Sequence, residues 1–224
     1  KDNKKNFPSG DFSTFDKKDF KYFNNKKILI AAGNINIFKC HNLIHDKNDL
    51  ILKKKQINSF LDSVDNQKIK IIDLKEHPND FRRDYSLHKI IETKNIKINV
   101  IDNRFGFEKL INNYELLIFP YQFATPFLKF LSLNKPCISI FNDEYLEPDL
   151  KKDFFSLYDN GILHHSAENM ASFVNQNFDD FSKWWNDSKT QGARKIFCQK
   201  YIKRNINFPD LIHTLKKIEK SLYK

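Results

Sequence analysis

The chain has 224 residues, 14% of them aromatic and 22 of them Phe, enough material for one large or two small domains with a real core. Its formal net charge is +10, yet only Arg82, Arg83, Arg104, Arg194 and Arg204 are arginines. Arginine is the residue of bidentate base and phosphate contacts, so no nucleic-acid partner is expected, while an anionic substrate or a peripheral contact with an anionic membrane stays open.

No apolar run approaches the length of a membrane span, and no signal-peptide pattern is present. Cys40, Cys137 and Cys198 are far apart and lack metal spacing, as in a reducing, cytoplasmic compartment with free thiols. The chain opens on Lys1 rather than Met, which is read as a piece of a longer or processed protein.

Residues 1–25 are polar and charged with scattered Phe, and they read as a linker or an arm. From residue 26 to 224 the pattern alternates. KKILIAAG (26–33) predicts a strand, 47–63 a helix, KIKIIDL (68–74) a strand and 81–93 a helix. IKINVID (96–102) is a strand followed by a short helix at 107–112.

The stretch 115–142 is the most informative. ELLIF is a short apolar run of the kind buried on both faces of a parallel sheet. TPFLKFLSLN opens on an N-cap residue, Thr125, with Pro126 at the first helical position. Phe127, Leu128, Leu131 and Leu133 pack one side, Asn134 ends the helix, and Pro136 stops it. PCISIF is the next buried strand. A helix is then expected at 149–158, a strand at 161–166, and helices at 167–176, 180–187, 189–203 and 208–222. Strands separated by helical patterns predict an α/β fold, a Rossmann-like parallel sheet with helices on both faces that closes with several helices.

In such a sheet ligands bind beyond the carboxyl ends of the strands, which selects the loops to inspect. Gly33 directly follows the first strand and suits close backbone approach to a ligand, although taken alone a plain turn explains it better. It belongs neither to a Walker loop nor to a dinucleotide fingerprint, because no GKS or GKT follows and it is the only glycine there.

His77-Pro78 lies just past the second strand, where the proline makes the backbone rigid and extended. The His77 ring can then meet a phosphate or base, and Asp73, Lys75, Glu76 and Asp80 surround it. Asp102 or Asn103 could hold a ribose hydroxyl and Arg104 a diphosphate; the alternative is a helix cap with a surface arginine. Gln122, Ala124 and Thr125 form the turn into the helix at 125–134, whose N-terminus is a natural seat for phosphate.

His41 and His45 have no Glu between them, and no metal site is expected. His164-His165 allows a proton shuttle, but one ring is expected to pack and Ser166 to cap the next helix. Trp184-Trp185 reads as at least one packed ring, with a sugar-stacking platform as the sharper alternative. No triad, nucleophile elbow or kinase set is visible, and no catalytic base can be nominated.

FATPFLKFLSLNKPCISIFNDEYLEP, followed by FFSLYDNGILHHSAENMASFVNQNFDDFSKWWNDSKTQGARKIFCQKYI, closely resembles the carboxyl-terminal part of a bacterial family of surface-carbohydrate-biosynthesis transferases. The shared pattern is a Thr-rich turn, a leucine-rich helix, Asn-x-Pro, a strand, L-x-x-x-G-I-x-H, WW, A-R-x-x-F and a final Tyr, strong from about 115 to 204. The resemblance implies the carboxyl-terminal half of a GT-B glycosyltransferase, with 26–224 as its nucleotide-sugar donor domain.

On that resemblance Thr125 and its helix hold donor phosphate. His77-Pro78 is similar to the His-Pro motif that contacts cytidine monophosphate in bacterial sialyl- and Kdo-transferases, and Gly33-Asn34 faces the interdomain cleft. A CMP-sugar or UDP-sugar donor, a glycan or lipid-linked acceptor, no cofactor and a place at the inner membrane face follow as expectations. The chain departs from the family at Pro126 and Lys129, where the family has a second Thr and an acid. A non-catalytic nucleotide- or glycan-binding relative or scaffold is the alternative, and another sugar-phosphate enzyme, such as an epimerase, a third.

Overall fold

Short apolar runs can be satisfied on both faces only in the middle of a sheet, and that is where this chain puts them. The computed structural model describes residues 26–32, 47–77, 87–91, 96–101, 107–121, 125–146 and 148–202. Six strands are present among them: β1 (Ile28–Ala31), β2 (Ile71–Lys75), β3 (Lys97–Val100), β4 (Leu116–Phe119), β5 (Cys137–Ile140) and β6 (Leu163–His164). All pair in parallel, in the order β3-β2-β1-β4-β5-β6. β1, β4 and β5 are buried along their whole length, whereas β3, at one end of the order, alternates exposed and half-buried residues.

Helices cover both faces. α1 (Lys47–Ser63) and α6 (Ala167–Asn177) lie on one. There Ile57, Phe60, Leu61 and Val64, at helical spacing, join Met170, Ala171 and Val174 against Ile28, Ile30, Ile72, Ile118 and Ile138. The other face carries α3 (Phe107–Leu110), α4 (Thr125–Ser132), α5 (Pro148–Asp159) and α8 (Ser188–Tyr201). Phe127, Phe130, Leu131, Leu157 and Phe197 from these pack on Leu29, Leu117 and Phe119. α2 (Leu87–Ile90) and α7 (Phe181–Asn186) complete the helices.

The predicted α/β fold is therefore present, with strand ends shifted by one to a few residues; β2 starts later than expected but extends to Lys75. The helix expected at 47–63 has those bounds. Of the helix expected at 81–93 only Leu87–Ile90 is described, and the arm at 1–25 and the helix at 208–222 lie outside the described residues. The short helix at 107–112 tightens into a 3₁₀ turn at Ile111–Asn113. A further 3₁₀ turn lies at Asp143–Tyr145, where the sequence pattern predicts only loop and Asn142 accepts from the Glu144 N–H. No helix among the described residues is long and apolar enough to cross a membrane.

Gly161, just before β6, has φ +71°, and a Cβ placed there would lie 2.3 Å from Cε2 of Phe173. Both the backbone and the neighbouring ring require glycine.

Candidate functional site at the β1–β4 crevice

The strand order reverses between β1 and β4. Connections leave these two strands in opposite directions, so a crevice opens beyond their carboxyl ends. Ala31 and Ala32 form one lip, and Phe119, Pro120 and Tyr121 the other. α4 starts at Thr125, four residues past Tyr121, and its N-terminus brings unpaired N–H groups and a positive dipole end to this edge.

The far end of α4 is fixed with unusual completeness. Asn134 has φ +59°, and its N–H bonds Leu131 O at 3.2 Å while the Lys135 N–H bonds Phe130 O at 3.0 Å. This is a Schellman termination with Asn in place of glycine. Two side chains from later in the chain close it. Nη1 of the buried Arg194 donates to Leu131 O at 3.0 Å, and Nε1 of the buried Trp185 donates to Asn134 O and Oδ1 at 3.1 and 3.0 Å. Trp185 and Arg194, quoted above within WW and A-R-x-x-F, thus act on α4 from behind.

Two lysines flank β1 at the crest. Lys75, the last residue of β2, stands in register with Ala31, and its backbone carbonyl accepts from the Ala32 N–H at 2.9 Å. It is only 3% exposed, with Nζ 5.9 Å from the Phe107 ring centre. Lys53, on α1, is 6% exposed and brings Nζ to 5.4 Å from the Tyr121 ring centre. Ring faces recover part of the cost of burying an ammonium. Tyr121 is itself set in place by Ser139, whose Oγ donates to its carbonyl at 3.1 Å. Burial pushes its phenol pKa up, so it is a neutral partner to the lysine.

Lys53 sits inside LKKKQ, where nothing local distinguishes one lysine from the next, and Lys75 has no mark in the sequence beyond its place two residues before His77.

His77 follows β2 and is half-buried. The Glu76 carboxylate, 2% exposed, accepts from the backbone N–H of His88 at 2.5 Å and faces its Nδ1 at 2.9 Å. Glu76 therefore ties the start of α2 to the crest of β2. Of the other candidates, Thr125 is the first residue of α4. Gly33, Asn34, Pro78, Asp102, Asn103, Arg104, Gln122 and Ala124 lie outside the described residues. Each belongs to a segment leaving the carboxyl end of β1, β2, β3 or β4.

His164 is a packed residue: burial pulls its pKa down to about 4. His165 is exposed and stacks on Tyr158, 4.1 Å between centres. Ser166 caps α6 as expected, accepting from the Asn169 N–H.

A doubly wound parallel sheet with helices on both faces and a switch point between β1 and β4 defines a Rossmann-like α/β protein. The chain belongs to the LIC12162 family of transferases, whose family model matches residues 1–217. Among curated proteins no match was found.

Proposed function

We propose that this transferase is the donor-binding part of a GT-B glycosyltransferase. It moves a sugar from a CMP- or UDP-sugar to a cell-surface glycan or lipid-linked acceptor. What supports the reading is the start of α4 beyond the carboxyl end of β4, together with two buried lysines, Lys75 in register with Ala31 at the end of β2 and Lys53 over the Tyr121 ring. Fixed positive groups in a site of low dielectric stabilise a departing nucleotide phosphate without reorganising. In this reading His77-Pro78 and Arg104 add contacts to phosphate, Asp102 or Asn103 binds ribose, and Gly33, Asn34, Gln122 and Ala124 line the pocket around it. The enzyme works at the inner face of the membrane, and no metal takes part.

Calorimetric titration of the chain with CMP, UDP and GDP tests this. Binding of at least one nucleotide is expected, weakened about tenfold or more by Lys53→Met or Lys75→Met, as for loss of one charge-assisted hydrogen bond. Absence of binding by all three refutes it. Lys129, on α4 where the resembled family carries an acid, favours a second reading as a nucleotide-binding relative without turnover. Nucleotide binding with neither transfer nor donor hydrolysis selects that one.

A further inference from the structure

The crevice lies at the carboxyl ends of the strands. At the opposite edge, around the starts of β1 and β2, a cavity of about 410 Å³ opens, a volume that suits a small ligand. Part of its wall is apolar: Ile28, Ile69 and Phe178 are buried, while Ile71 is 53% exposed. The rest is basic, with Lys26, Lys27, Lys68 and Lys70 all lining it. Asp73 on β2 and Asn99 on β3 complete the wall.

The acids within reach do not neutralise this set. Both oxygens of Asp73 already accept hydrogen bonds, Oδ2 from the Tyr114 hydroxyl at 2.6 Å and Oδ1 from Asn99 Nδ2 at 2.9 Å. Asp179 serves two ammoniums at once: Oδ1 lies 3.3 Å from Lys26 Nζ and Oδ2 3.8 Å from Lys68 Nζ. Its side chain is 74% exposed, so both pairs are weak and exchangeable. Lys70 Nζ donates to the Asn66 carbonyl at 2.8 Å, a neutral partner that leaves the charge whole. Glu115, behind Lys26, accepts from the Lys26 N–H at 2.9 Å and is offset by Lys135. Four lysines therefore stand against the carboxylates of Asp73 and Asp179.

The geometry points to a second anion site at the amino-terminal edge of the sheet, which takes a phosphate ester with its phosphate on Lys26, Lys68 and Lys70 and its carbon body on Ile71. The Asp179 carboxylate already spans Lys26 and Lys68 through its two oxygens. A phosphate group replaces it there and has oxygen left for a third ammonium. Ile71 supplies the apolar surface that a bare inorganic anion leaves unused. The ester is either a soluble one or the headgroup of a phospholipid, since both present the same chemistry. The site stands independently of the donor reading, at the other end of the same strands.

The δ-methyl of Ile71 is a reporter inside the wall, assigned by its loss in Ile71→Val. The full chain, ¹³C-labelled at its isoleucine methyls, is titrated with glycerol 3-phosphate and with dihexanoylphosphatidylglycerol below its micelle concentration. A saturable shift of the Ile71 signal with at least one of them is expected. Lys68→Gln and Lys70→Gln each weaken binding by about tenfold, as for one lost bond to a charged group. Asp179→Asn removes the competing carboxylate and tightens binding by about two- to fivefold. Tighter binding of the lipid assigns the site to a headgroup, and equal binding assigns it to a soluble ester. Lys53→Met, which weakens nucleotide binding in the crevice, leaves the Ile71 response unchanged, so the two sites fail separately. No saturable shift with either ester, or an affinity that Lys68→Gln and Asp179→Asn leave unchanged, overturns the proposal. So does an equal loss in Lys152→Gln on α5, which would mark general attraction of anions to a chain of net charge +10.

Discussion

Replacing glycine by alanine normally stabilises a protein slightly, by restricting the unfolded chain, so a glycine at which it does the opposite is diagnostic. Gly161 meets that condition twice. Its φ of +71° costs an L-residue about 1–2 kcal/mol. Its added methyl would lie 2.3 Å from Cε2 and 2.8 Å from Cδ2 of Phe173, and relieving such overpacking costs about 1–3 kcal/mol. Against a gain of about 0.4–1 kcal/mol from the unfolded state, Gly161→Ala is expected to lose about 3 kcal/mol. Gly192, inside α8, has nothing within 4 Å of its would-be Cβ, and Gly192→Ala is expected to gain about 0.5–1 kcal/mol. Equilibrium urea unfolding followed by far-ultraviolet circular dichroism, compared at equal m, reads both values. Adding Phe173→Leu to Gly161→Ala removes the overlap but not the backbone cost, so the double variant recovers about 1–2 kcal/mol of coupling. A Gly161→Ala protein within about 0.5 kcal/mol of the parent would refute the reasoning, as would a destabilising Gly192→Ala.

Arg194→Met removes the Nη1 bond to Leu131 O and the Nε bond to Gln191 Oε1 and is expected to lower unfolding free energy by about 2 kcal/mol in the same assay. Trp185→Phe keeps the ring but loses the donor to Asn134, at a cost of about 1 kcal/mol. Tyr114→Phe removes a 2.6 Å bond to the Asp73 carboxylate and costs about 1.5–3 kcal/mol, because the acceptor is charged. Burial holds the His164 pKa down to about 4 in the folded chain, against an ordinary histidine value of 6.5. Unfolded chains therefore bind more protons between those values, and stability is complete above pH 6.5 and falls as pH drops toward 4. That fall is about 3 kcal/mol, and stability profiles of His164→Leu should lack this component.

The strands at the centre of the sheet were legible because burial on both faces leaves a plain mark: ILIA and LLIF are unbroken apolar runs, and CISI is interrupted only by the small, buried Ser139. α4 was legible through Thr125, Pro126 and Asn134, although it stops at Ser132 and Asn134 belongs to its left-handed termination. The strand order was not legible. Nothing in the runs themselves says that β4 pairs with β1 rather than β3, and only the crossovers decide it. Lys53 was invisible for a different reason: its burial depends on Tyr121, 68 positions away, and a lysine among lysines carries no local mark. The role of Arg194 was hidden likewise, because the carbonyl it serves lies 63 positions earlier.

That separation has a consequence for how the protein is made. At about 5–20 residues per second, some 3–13 s pass between synthesis of Leu131 and of Arg194, the guanidinium that holds its carbonyl, 63 positions on. For most of that interval β4, α4 and β5 exist as chain, while the rear of α4 lacks Trp185 until residue 185 and Arg194 until the end. The rear of α4 is thus fixed by late-made parts of the sheet's helical coat. A premature stop between Asn177 and Trp185 would leave all six described strands intact, yet remove both side chains that hold the rear of α4.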